Sequence, residues 1–159
     1  MAIGDFRWYV SYWHRSMDNL GIPDFGTTPH TIKCALIKSL ANGGWDPAIT
    51  DAHPSWGSGG TIDMSAYEVA AGGLYTTGGN VCASPTSTVL SNTISIDWAN
   101  PAAWSQDAGN PKNARWAIFW DTTYEDCLGF YDLGSDRDLT AGELLITMYA
   151  PVQDIVITA

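Results

Sequence analysis

A chain of 159 residues with 45% apolar and 15% charged side chains makes one domain of ordinary size with enough apolar material to fold. Seven Lys and Arg against 17 Asp and Glu leave a formal charge of −10, the wrong sign for neutralising phosphates or anionic lipid, so nucleic acid and membrane surfaces are disfavoured as partners. No run of 18 apolar residues occurs, and the N-terminus lacks the basic and apolar regions of a signal peptide, so a soluble protein is expected.

Residues 3–20 place Phe6, Val10, Trp13, Met17 and Leu20 at spacings of four, three, four and three, the stripe of an amphipathic helix. Asp5 suits the positive helix end, and Gly21 with Pro23 supplies the stop. Trp8, Tyr9 and Tyr12 add aromatic area on a second face, more than one core-facing stripe uses. Residues 1–22 therefore read as a helical docking element, buried deeply or set against a second subunit.

From Thr31 the texture changes to short β-prone runs divided by Gly, Pro, Asn and Asp, with no second long helical period. Strands are predicted over residues 31–37, 67–69, 81–84, 93–98, 114–120, 128–133, 143–149 and 155–158. Eight short strands suit an antiparallel, jelly-roll-like β-sandwich domain over residues 31–159. Residues 42–61 are rich in Gly and Pro and read as a long surface excursion of the kind that carries function.

The groups that could do chemistry are scattered. His14, His30 and His53 fall in different segments, and none has the i, i+4 partner of a metal-binding helix. Cys34, Cys82 and Cys127 form no CxxC pair; Cys34 alternates within a β run as a small buried hydrophobe, while a Cys82–Cys127 bridge stays open. A glycosidase would need two carboxyls facing one cleft, drawn from Glu68, Glu125 and Glu143. Most Asp residues sit where turns use them, and Asp121, Glu125, Asp126 and Asp132, Asp136, Asp138 read as solvated acidic loops and not calcium loops. No catalytic, metal or cofactor-binding residue is expected.

Eight Trp and seven Tyr exceed the needs of one small core. Trp45, Trp56 and Trp104 fall in loop-like context, where exposed rings would suit sugar stacking or a protein interface. The expected interface residues are Phe6, Trp8, Tyr12, Trp13, Trp45, Trp56 and Trp104.

The order of landmarks resembles a family of small virion structural proteins of tailed bacteriophages: minor capsid, decoration, head-fibre and tail-associated proteins. The carrying segments are TIKCALI (31–37), Asp51-Ala52-His53, AYEVAAGGLYTTGG (66–79), IDWANPAAW (96–104), ARWAIFWDTT (114–123), LGFYDLG (128–134) and a closing IVITA. They span residues 31–159, about four fifths of the chain; the excursion before His53 and the aromatic N-terminal helix depart from the pattern. The resemblance implies a non-enzymatic homo-oligomer without cofactor, assembled in the host cytoplasm, that binds copies of itself and capsid, neck or tail proteins of the virion. The alternative is a carbohydrate-binding module that contacts host glycans through Trp45, Trp56 or Trp104.

Overall fold

The computed structural model describes residues 5–18, 25, 29–148 and 152–156. The chain is mainly β with one N-terminal helix, as expected from its texture. Its body is an antiparallel sheet of five strands in the order β1 (Phe6–Trp8), β9 (Cys127–Arg137), β8 (Ala114–Asp121), β2 (Ile32–Lys38) and β5 (Asn80–Cys82). A second sheet joins β10 (Gln153–Val156), β7 (Thr93–Asp97) and β6 (Thr86–Leu90). A short parallel pair links β3 (Pro54–Ser55) with β4 (Ile62–Asp63).

The central strands β2 and β8 are buried almost without interruption, which requires cover on both faces of the sheet. On one face Trp120 stacks on Trp56 at 5.3 Å, and Phe130 meets both Trp116 and Tyr9. On the other face Phe119 meets Phe6 at 5.2 Å and Trp98 at 6.0 Å, with Trp8 against both Phe6 and Trp98. Offset and edge-on ring pairs of this kind add about 0.5–1.5 kcal/mol each beyond the area they bury. The surplus of aromatic residues is therefore spent largely inside the chain.

The N-terminal segment differs from the helix expected over residues 3–20. Phe6–Trp8 is strand β1, paired with β9 in the register Phe6↔Tyr131 to Trp8↔Gly129, and only Val10–Met17 is helix (α1). Phe6 and Trp8 also obey the period of two, and an open edge of β9 rewards that period with ladder hydrogen bonds. The extended Tyr9 (φ −72°, ψ 134°) makes the switch: its N–H still bonds Leu128 O at 3.0 Å, and the helix starts one residue later. Leu20 lies outside the described residues.

The excursion over residues 42–61 is not confined to the surface. Trp45 N–H returns to Lys38 O at 3.1 Å, and Ser55, Trp56 and, just beyond, Met64 are buried against the sheet. Two predicted strands are replaced by single bridges, Ile37↔Glu68 and Trp104↔Leu144; Tyr149 lies outside the described residues. Strand β6 was not expected. It turns into β7 through Ser91 and Asn92, with Ser91 in the left-handed region (φ 53°), and all five β6 residues are exposed.

Candidate functional site

Tyr9 and Tyr12 bury the inner side of α1, leaving a stripe of Val10, Trp13, His14 and Met17 at i, i+3, i+4 and i+7 on the other. Trp13 is half-buried against Trp8 and Tyr12, whereas Val10 is 58% and Met17 80% exposed. The loop at residues 49–53 lies alongside: Ile49 O accepts from Val10 N–H at 2.9 Å, and Asp51 O accepts from the Ser11 hydroxyl at 3.0 Å. Between helix and loop runs a groove of about 460 Å³, lined mainly by apolar surface from Val10, Ala52 and their neighbours, with His14, Arg15 and His53 along it. The exposed Ile49 adds apolar area beside it.

Beneath the groove a buried carboxylate ties three segments together. Asp126, in the β8–β9 connection, receives His53 Nε2 at 2.8 Å and Arg15 Nη2 and Nε at 3.3 and 3.4 Å. Its own carbonyl accepts Asp121 N–H at 2.9 Å, and the fully buried Asp121 side chain meets His30 Nδ1 at 3.1 Å. His53 is held with φ 43° and Glu125 with φ 60°, both unusual for residues with a side chain. The expectation of a solvated acidic loop is corrected here for Asp121 and Asp126: Arg15 of α1 and His53 of the excursion satisfy the buried Asp126 carboxylate, and His30 with the Thr123 and Tyr124 N–H groups satisfies that of Asp121. Asp132 is likewise buried, bonded to Arg115 and to Gly134 N–H.

Sequence reasoning missed Arg15 and the Asp126 cluster. The available signal was scarcity: with 7 cationic residues against 17 acids, either Arg of the aromatic N-terminal segment, Arg7 or Arg15, is well placed to meet a carboxylate. His14, by contrast, stays exposed and pairs with Asp18, one helical turn on.

The seven expected interface residues separate into two groups. Phe6, Trp8, Tyr12 and Trp13 do form one aromatic cluster at the N-terminal segment, with Tyr12 buried and the others half-buried. Trp45, Trp56 and Trp104 do not form an exposed platform. Trp56 and Trp104 are buried in the core; Trp45 is half-buried, stacked on Tyr67 at 5.6 Å with its Nε1 donating to Asp51. Loop-like sequence hid the fact that these loops lie on the sheet, and sugar stacking loses the open ring faces it requires.

The remaining reactive groups are bound into the framework. Burial pushes the Cys82 thiol up to about 12 and raises those of Cys34 and Cys127 well above their usual range. All three cysteines are free; Cys82 on β5 and Cys127 on β9 are separated by β2 and β8, so no Cys82–Cys127 bridge forms. Glu68 accepts from Tyr75 Oη at 2.8 Å and Gly78 N–H at 2.6 Å, and Tyr75 Oη in turn accepts Leu36 N–H. Burial raises the Glu68 carboxyl above its usual value, only partly offset by those donors and by Lys33. Glu125 sits against Gly57, and Glu143 lines a separate depression at residues 136–145. The three glutamates thus have three different sets of neighbours.

Among the described residues no group of three or more His, Cys, Asp or Glu could hold a metal ion, and no helix is long and apolar enough to cross a membrane. No family model, curated protein or solved structure matches the chain.

Proposed function

We propose that this chain is a non-enzymatic structural protein of a tailed-bacteriophage virion, a decoration, head-fibre or neck and tail component that binds other virion proteins through α1 and the groove beside it. The observation that supports this reading is the outward stripe of α1. Val10 and Met17 offer apolar area on a helix whose other side is anchored through Tyr9, Tyr12 and Arg15. A rigidly held apolar stripe with a groove beside it binds a partner at little ordering cost. His30, His53 and the buried aspartates are engaged with one another, and Glu68 with Tyr75, so they serve the scaffold in this reading.

The test is co-sedimentation of purified protein with phage particles that lack it. The wild-type chain is expected to pellet with the particles, and the double variant Val10→Asp with Met17→Asp to remain in the supernatant while keeping its circular dichroism spectrum. Equal pelleting of both would remove α1 from the docking role.

A further inference from the structure

We infer that the β6–β7 hairpin is a self-association edge, at which β6 pairs antiparallel with β6 of a second copy of this chain. The inference concerns a different surface from α1 and does not rest on the virion reading.

Strand β6 is the outermost strand of its sheet and is exposed at every position, with Val89 at 74% and Leu90 at 79%. The direction of its free groups follows from one hydrogen bond. Ser87 donates its N–H away from β7, to Phe25 O at 3.1 Å, so Val89, two residues on, turns its N–H and C=O the same way. No described residue meets them there. An edge strand of Thr, Ser, Thr, Val and Leu, without Lys, Glu or an internal Pro, lacks the devices that keep edges apart.

Charge selects the occupant. From Val69 to Ile96 the chain carries no Asp, Glu, Lys, Arg or His, although the whole molecule stands at −10. Two copies repel one another over most of their surfaces, and the hairpin, whose one charged residue is the half-buried Asp97 at the end away from the turn, is where they can approach without placing acid against acid. Around Val89 it offers neither sign of charge to draw a charged partner. Antiparallel pairing of one strand with itself is self-complementary, as a two-fold contact requires. Centred on Val89, it lets the two Val89 residues exchange both backbone hydrogen bonds and extends the order to β10-β7-β6-β6-β7-β10. Val89 lies opposite Ile94 in the hairpin register, so the pairing also sets Val89 and Ile94 of one copy beside those of the other.

Sedimentation equilibrium of the full chain tests this. The wild type is expected to be a dimer that dissociates on dilution. Val89→Pro removes the donor, and Val89→Lys sets two like charges side by side at the axis; each should weaken the dimer at least about tenfold, with Val89→Thr close to wild type. Val89→Lys lies at an exposed tip and keeps the fold, so it reads the edge even if the proline disturbs the hairpin. A wild type that stays monomeric up to about 1 mM, or a dimer indifferent to Val89→Lys, would overturn the inference. A monomer that still pellets with particles would do so and leave the α1 reading standing.

Discussion

Asp126 shows how single residues hold the site in place. Its carboxylate joins the β8–β9 connection to α1 through Arg15 and to the excursion through His53. Removing it takes one acceptor from the half-buried Arg15 guanidinium and one from the His53 imidazole, which costs more than the pair's net worth. Asp126→Ala should lower the unfolding free energy by about 2–3 kcal/mol in urea denaturation. Asp126→Asn, which keeps one acceptor oxygen, should lose less; equal losses would mean that the space, not the acceptor, matters.

Two other carboxyls make opposite contributions with pH. Burial pushes Asp132 up, but the Arg115 guanidinium and Gly134 N–H outweigh it and hold the carboxyl below 3.8. Its stabilising share is complete above 3.8 and is lost as pH falls through the depressed folded value. Glu68 is raised by burial, so the folded state resists its ionisation and stability is lost as pH rises from 4.5 through the raised value. Glu68→Gln keeps the single oxygen, Oε1, that accepts from both Tyr75 and Gly78. Denaturation curves between pH 3 and 7 should therefore lose their downward component above 4.5 in Glu68→Gln, and part of their acid limb in Asp132→Asn. An unchanged profile in either variant would remove that residue from the account.

At the scale of elements, the junction of β1 with β9 depends on one close approach. A Cβ at Gly129 would press on the Arg7 carbonyl and stand 2.6 Å from the Phe6 ring, leaving no room for β1 in its register. Gly129→Ala should detach β1 while sparing the central β2–β8 pairing. Hydrogen exchange would then speed up at residues 6–8 and stay slow at residues 32–37 and 116–120; protection retained at 6–8 would show that β9 can yield. The same junction explains what the sequence could reveal. Strands β2, β7, β8 and β9 were legible because their apolar runs are bounded by turn residues and buried where they fall. The Phe6–Met17 stripe satisfied a helical period throughout, and only the free edge of β9, a tertiary fact, decided that its first part is strand. Thr86–Leu90 hid because its two-residue turn uses Ser91, without the glycine that announces such turns. The outward stripe of α1 was half legible: Trp13 was named for its chemistry, whereas Val10 and Met17 were read only as members of the amphipathic stripe, which lies outward because Tyr9 and Tyr12 take the inner face.

For the whole molecule, the excess of acid is the property that the fold leaves unbalanced. Arg15, Arg115 and Lys112 are already paired with Asp126, Asp132 and Asp138, and Asp46, Glu125, Asp136 and Glu143 are among the acids left exposed to solvent. Their repulsion acts over distances comparable to the Debye length, about 10 Å at 0.1 M salt, whereas the buried pairs are screened far less. Adding potassium chloride from about 0.01 to 0.3 M should thus relieve more repulsion than attraction and raise the melting temperature. For a chain of this length each 1 kcal/mol gained corresponds to about 2–4 °C. The same screening should tighten pairing of two copies along β6, which carries no charge, so melting temperature and dimer fraction should rise together. In Val89→Lys the melting temperature should still rise with salt while the chain sediments as a monomer, separating repulsion within one molecule from repulsion between two. A melting temperature that falls with salt would mean that the attractive pairs dominate the electrostatics, and that the −10 charge is not what keeps the rest of the surface apart from its copies.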